Sequence, residues 1–281
     1  NNINNIIFII YDETFNLYWN TTEKVLYAYD QSNSTGLVGR SGFSDSDNIT
    51  FVGHSKLDIL NLNHDRETYT GNFTVNTKGN DDSIYSAKLK NGDSIDLGAG
   101  DDNIYLMLTG SNGTTTIADA DFAKLDGGAG NDTLGFEESG SNTSELTLTT
   151  GGATNFENLI GTAGAETLKG DNSANSIQGR EGADTIYGYG GNDLLYADEI
   201  KTISDNDADT LYGGSGNDFL QGSDGDNFLD GGSGSDTILG LAGVDIFVLR
   251  TGSGGSGITD ADIFKDFTDG TDLIGLDNGL A

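Results

Sequence analysis

Between Gly161 and Val248 the apolar and polar positions repeat on a step of nine residues, not on the 3.6-residue period of a helix. An apolar side chain recurs at the eighth place of each unit: Leu168, Ile177, Ile186, Leu195, Leu211, Leu220, Leu229, Ile238 and Phe247. A carboxylate or amide stands two places earlier: Glu166, Asn175, Asp184, Asp193, Asp209, Asp218, Asn227, Asp236 and Asp245. One unit, ADEIKTISDNDADTLY, is seven residues longer than its neighbours, yet the period resumes in phase, so residues 197–207 read as one enlarged loop. Three residues ending near the apolar place predict a short strand, and six rich in glycine and aspartate predict a turn. Two units then make one coil with a strand on each side. Stacked coils give an all-β fold, a parallel β-roll whose two sheets enclose the eighth-place side chains.

In such a roll, units two apart share an edge, so turns stack on turns. Each gap between stacked turns collects main-chain carbonyls and a carboxylate, because glycine lets backbones approach closely. Ca²⁺ prefers a hard-oxygen cage of this kind, with roughly six to eight ligands. The candidate ligands are the sixth-place side chains with the glycines at the first and fourth places. They comprise Gly179, Gly182 and Asp184; Gly188, Gly191 and Asp193; Asp209; Gly213, Gly216 and Asp218; Gly222, Gly225 and Asn227; Gly231, Gly234 and Asp236; and Asp245. A flexible linker would not keep nine apolar positions in phase. A solenoid without cations would stack carboxylates against one another at short range.

GGSGNDFLQ and GGSGSDTIL fit the nonapeptide GGxGxDxUx at every specified place, and GREGADTIY misses one glycine. On these units the chain resembles the RTX (repeats-in-toxin) calcium-binding proteins. The resemblance implies several bound Ca²⁺ ions, export by a type I system and folding outside the cell.

Composition narrows the partners. There are 45 acidic against 13 basic residues, a formal charge of −32. Nucleic acid needs clustered Lys and Arg and is excluded as a natural partner. Bare anionic membranes are disfavoured, and calcium would relieve the self-repulsion. There is no cysteine for disulfides or thiolate chemistry, and the absence of proline suits ladder-bonded strands. No stretch reaches the roughly twenty apolar residues of a transmembrane helix. Ile6 to Ile10 is short and lacks a basic leader, so it is not read as a signal peptide.

Residues 1–70 carry no nonapeptide and alternate strand-like runs with polar turns, predicting an irregular all-β region: a small sandwich or irregular coils. Residues 71–158 read as degenerate solenoid with insertions, where Ile95 and Ile104, and Leu125 and Leu134, are nine apart. Asp102 and Asp132 are the calcium candidates there, with Asp82 weaker. Residues 159–248 form the regular array. Residues 249–281 read as a C-terminal cap in which Ile263, Phe264, Phe267, Leu273 and Ile274 cover the last coil. The family's apolar secretion tail does not follow, as in a fragment of a longer protein.

Catalytic motifs are weak. Gly53-His54-Ser55-Lys56 resembles the start of a nucleophile elbow, but Leu57 stands where glycine is needed. His54 and His64 lie outside any HExxH, and acidic pairs are too common to single out a glycosidase. Asp198, Glu199, Asp205 and Asp207 are extra ligands or a solvated bulge, the bulge preferred because Asp209 keeps the repeat's place. The expectation is a non-enzymatic, calcium-dependent extracellular structural protein of the bacterial surface. It would be of surface-layer or adhesin type, with self-association or a cell-surface polysaccharide as its partner. The alternative is the C-terminal folding and export module of a secreted lipase, protease or polysaccharide-modifying enzyme.

Overall fold

In a computed structural model, the described residues are 5–9, 15–20, 25–30, 38–41, 48–52, 59–61, 72–87, 92–107, 124–137, 145–150, 153–198, 206–250, 261–268 and 270–276. The chain divides into two compact units. Among the described residues every regular element is a strand, and no helix is long and apolar enough to cross a membrane.

The first unit comprises residues 1–109, 116–137 and 149–156. One of its sheets orders Asn5–Ile9, Asn48–Val52, Phe73–Asn76, Ser94–Asp96, Lys124–Asp126 and Ala153–Thr154, all parallel. The facing strands are Phe15–Asn20, Ile59–Asn61, Ser83–Ala87, Asn103–Met107 and Thr133–Glu137, again parallel. Of the two expectations for the N-terminal region, the strands follow irregular coils: Asn5–Ile9 and Asn48–Val52 belong to the same parallel ladder as Phe73–Asn76. The sequence departs from a roll where Phe15–Asn20, Val25–Asp30 and Val38–Ser41 form an antiparallel meander.

The second unit comprises residues 110–115, 138–148 and 157–281. One sheet orders Asn158–Ile160, Ser176–Gln178, Leu194–Tyr196, Phe219–Gln221, Thr237–Leu239 and Ile263–Phe264. The other orders Glu145–Thr147, Thr167–Lys169, Thr185–Gly190, Thr210–Ser215, Phe228–Ser233, Ile246–Leu249 and Leu273–Leu276. Every pairing is parallel, and successive units alternate between sheets. The parallel β-roll is therefore the fold of the array. All nine eighth-place side chains, from Leu168 to Phe247, are 0% exposed, and burying each contributes about 1.5–3 kcal/mol. The enlarged loop leaves the ladder intact: Ile186 pairs with Leu211 across it.

The C-terminal segment differs from a simple lid. Ile263–Phe264 and Leu273–Leu276 add one strand to each sheet, and Phe264 and Phe267 pack their rings on Phe247. Phe247 is thereby covered, but Ile263, Leu273 and Ile274 stay 49%, 54% and 40% exposed. They belong to an additional coil paired onto the last strands of the array; Ile274 is in register with the buried Phe247 but has no further described strand beyond it.

Candidate calcium sites in the stacked turns

Each place in the turn has its own physical reason. At the first place glycine is needed for space. A Cβ on Gly213 would lie 2.4 Å from Asp218 Oδ2 and 2.5 Å from the Gly231 carbonyl oxygen. Gly188 is held in the same way between Asp193 Oδ2 and Gly213 O, and Gly179 between Asp184 Oδ2 and Ala197 O. At the fourth place glycine is needed for conformation as well: Gly216 and Gly234 have φ of 132° and 138°. Their would-be Cβ positions face the carbonyls of Gly191 and Gly216 in the preceding coil.

The sixth-place aspartates do two things. One oxygen braces the neighbouring coil: Asp193 N–H donates to Asp218 Oδ1 at 2.8 Å, and Asp218 N–H donates to Asp236 Oδ1 at 2.8 Å. Along this edge the ladder starts with Asn175 N–H to Asp193 Oδ1 at 2.8 Å. On the opposite edge Glu166 N–H donates to Asp184 Oδ1, Asp184 N–H to Asp209 Oδ1, and Asn227 N–H to Asp245 Oδ1. The other oxygen, Oδ2, is buried with no hydrogen-bond partner in Asp102, Asp184, Asp193, Asp218 and Asp236. In Asp184, Asp193 and Asp218 it points to the space shared with the first-place glycine and the next coil's carbonyl, and in Asp236 to the first-place glycine.

A buried carboxylate oxygen without a donor is costly unless a cation meets it. Burial accordingly pushes the carboxyls up from 3.8: Asp102, Asp193, Asp218 and Asp245 to about 6, Asp236 to about 7 and Asp184 to about 9. For Asp184, the carboxylates of Glu166, Asp209 and Asp198 add to the effect of burial. Among the described residues no three His, Cys, Asp or Glu side chains converge as a metal cluster. A cation here takes one carboxylate oxygen at a time and completes its shell with main-chain carbonyls. Ca²⁺ suits that donor set, being hard and tolerant of irregular geometry. The Gly191 carbonyl, the Gly213 carbonyl and Asp193 Oδ2 would hold one ion. Gly216 O, Gly231 O and Asp218 Oδ2 repeat the set one coil on. Bound there, the ion supplies the positive charge that keeps these aspartates ionised inside the fold.

Of the expected ligands, the structure brings the glycine and aspartate sets of Asp184, Asp193, Asp218 and Asp236 into these gaps, and Asp245 Oδ2 faces Gly240 likewise. Asp209 Oδ2 accepts from the Ser223 hydroxyl at 2.6 Å. Asn227 presents its amide nitrogen to the carbonyls of Gly225 and Gly240, at 2.8 and 3.2 Å. In the first unit Asp82 N–H donates to Asp102 Oδ1 at 2.6 Å and Asp102 N–H to Asp132 Oδ1 at 2.8 Å, a third ladder. Of the enlarged loop, Asp198 and Asp207 are described; Glu199 and Asp205 lie outside the described residues, as do His54, Ser55 and His64.

Three ladder members escaped the sequence reading. Asp262 and Asp272 accept from Asp236 N–H and Asp245 N–H at 3.1 and 3.2 Å, and so extend both edges. They stand 26 and 27 residues after their partners, outside the regular step. Asp93, fully buried, accepts from Phe73 N–H at 2.8 Å. Its place two before Ile95 was the available signal.

Parallel coils with glycine–aspartate turns facing buried, donorless oxygens define a calcium-binding β-roll. Residues 124–134, 160–197, 203–238 and 221–256 match the RTX calcium-binding nonapeptide repeat, four copies in all. Over those residues the array matches that family's repeat, and its cofactor is Ca²⁺. Comparison with curated proteins gives no match.

Proposed function

We propose that this chain is a calcium-dependent extracellular structural protein of the bacterial cell surface, of surface-layer or adhesin type. The repeat module itself is a structural calcium-binding element, and RTX repeat proteins are typically type I secreted. The observation that carries the reading is the run of buried aspartates on the edges of the second unit, of which Asp184, Asp193, Asp218 and Asp236 each keep an oxygen without a hydrogen-bond donor. A ligand bound only by the folded state stabilises it by RT ln(1 + [L]/Kd) at each independent site, so several weak sites together make folding conditional on calcium. Cytosolic calcium is too low for such sites, and extracellular calcium is sufficient. The chain crosses the export machinery unfolded and acquires its coils outside. With a formal charge of −32, the folded surface also favours calcium bridges between copies or to an acidic cell-surface polysaccharide.

The test is sedimentation velocity of the chain in chelator and in millimolar calcium. An expanded species that compacts and then forms large assemblies supports the surface role. Compaction that stops at a monomer favours the module of a secreted enzyme instead. No compaction at all overturns calcium-dependent folding.

A further inference from the structure

The nonapeptide period treats Asn227 as one more ligand, but its side chain is turned to do the opposite work. Asn227 Oδ1 accepts the Asp209 N–H at 3.1 Å and lies 3.0 Å from the Ser223 hydroxyl. Its Nδ2 faces four oxygens: Gly225 O at 2.8 Å, Asp245 Oδ1 at 3.0 Å, Ser223 O at 3.1 Å and Gly240 O at 3.2 Å. The chemistry of the neighbours fixes this orientation. A backbone N–H can only donate and carbonyls can only accept, so exchanging the amide's oxygen and nitrogen would set donor on donor and oxygen on oxygen. Gly225 O and Gly240 O are the fourth-place carbonyl of the same turn and the first-place carbonyl of the next coil. They are the counterparts of Gly191 O and Gly213 O beside Asp193, and of Gly216 O and Gly231 O beside Asp218.

The amide hydrogens therefore stand where a cation stands in the neighbouring gaps, on the same oxygens. We propose that the Asn227 gap takes no calcium and is closed by a built-in amide clamp. The coils on either side of it are joined without metal.

Asn175 shows that asparagine alone does not impose this. A Cβ on Gly170 would meet Asn175 Oδ1 at 2.4 Å, an oxygen in the place of the aspartate Oδ2, and its Nδ2 donates away, to Glu157 O at 3.1 Å. At Gly222 the corresponding nearest atom is Asn227 Nδ2, at 2.7 Å. One edge of the second unit thus carries an unbroken series, Asp193, Asp218 and Asp236. The other edge is interrupted between Asp209 and Asp245.

The test counts ions on the full chain. Wild type, Asn227→Ala and Asn227→Asp are dialysed to equilibrium against millimolar calcium, and bound calcium per chain is measured by elemental analysis. Asn227→Ala is expected to keep the wild-type number, and Asn227→Asp to gain one ion. Loss of an ion in Asn227→Ala would mean that Asn227 is a ligand and would overturn the proposal. An unchanged number in Asn227→Asp would do the same, because the gap would then be either already filled or unable to hold a cation. The aspartate variant restores the repeat's own residue and folds in calcium if the alanine variant does not.

Discussion

Replacing Asp218 by asparagine tests whether the buried aspartates make the roll dependent on a cation. The Asp218 carboxyl is 3% exposed, and burial pushes its pKa from 3.8 to about 6. A group whose folded pKa lies above its unfolded value contributes stability that is complete below the unfolded pKa and lost as pH rises through the folded one. At 1.36 kcal/mol per pKa unit, ionising Asp218 within the metal-free fold costs about 3 kcal/mol. Asparagine keeps the bond from Asp193 N–H, now 2.8 Å to Asp218 Oδ1, and turns an amide nitrogen toward Gly216 O and Gly231 O, as Asn227 does toward its own carbonyls. In chelator at about pH 8, Asp218→Asn should therefore be more stable than wild type by about 3 kcal/mol, or two orders of magnitude in the folding equilibrium. Below about pH 4 the two should coincide, because the wild-type carboxyl is then neutral in both states. In calcium the order reverses in ion count, since the variant lacks one coordinating oxygen. The assay is the far-UV circular dichroism of the full chain in chelator, titrated from about pH 8 to pH 4, with urea melts wherever the chain is folded. Wild type should gain strand signal as pH falls through 6, and the variant's transition should lie at higher pH. Equal or lower stability of Asp218→Asn at the alkaline end, or a difference that persists in acid, would refute the reasoning.

Two backbone substitutions test the separate demands of the repeat's places. Gly213→Ala puts a Cβ against Asp218 Oδ2 and the Gly231 carbonyl, the latter fixed by the sheet, so the denaturation midpoint in saturating calcium should fall by the equivalent of about 1–3 kcal/mol. Leu241 occupies a second place with φ of 72° and is 45% exposed, where Gly214 and Gly232 serve in other units at 111° and 98°. Leu241→Gly should relieve roughly 1–2 kcal/mol of left-handed strain against the loss of about 0.5–1 kcal/mol from glycine's extra unfolded-state freedom. The urea midpoint in calcium should therefore rise slightly; a fall would show that the leucine side chain contributes packing that its exposure does not suggest.

The array was legible because its two signals are strictly local and periodic. A nine-residue step places Leu220 in the core and Asp218 in the turn whatever lies elsewhere, and the structure keeps both. The cap was legible only in part. Asp262 and Asp272 extend the ladders through a shared register with Asp236 and Asp245, but segments of irregular length intervene, and spacing alone could not connect them. The N-terminal strands show the same limit. Nothing in NIIFI or NITFV states that they pair in parallel, since pairing over 43 residues is a long-range choice that no local pattern encodes. The role of Asn227 was hidden for a different reason. Aspartate and asparagine differ by one atom, and which end of the amide faces the gap is set by Ser223, Asp209 and Gly240, partners from its own turn and from the coils on either side.

The same oxygens thus have three ways to be satisfied, and these compete. A proton neutralises Asp218 where it stands, a cation meets Oδ2 while leaving the charge, and an amide in place of the carboxylate supplies its own hydrogens. The first works only toward acid and the second only in the presence of calcium, whereas the third works under all conditions. An array built wholly of the third kind would fold without calcium. One built wholly of aspartates concentrates the electrostatic cost of the metal-free state on every coil. The second unit holds both: the aspartate series Asp193, Asp218 and Asp236 lies on one edge, and on the other Asn227 spans two coils by hydrogen bonds alone. A coil meets that junction differently on its two sides: toward the C-terminus its carboxylate accepts a waiting N–H, as Asp245 accepts from Asn227, and toward the N-terminus its N–H finds a waiting side-chain oxygen, as Asp209 N–H finds Asn227 Oδ1.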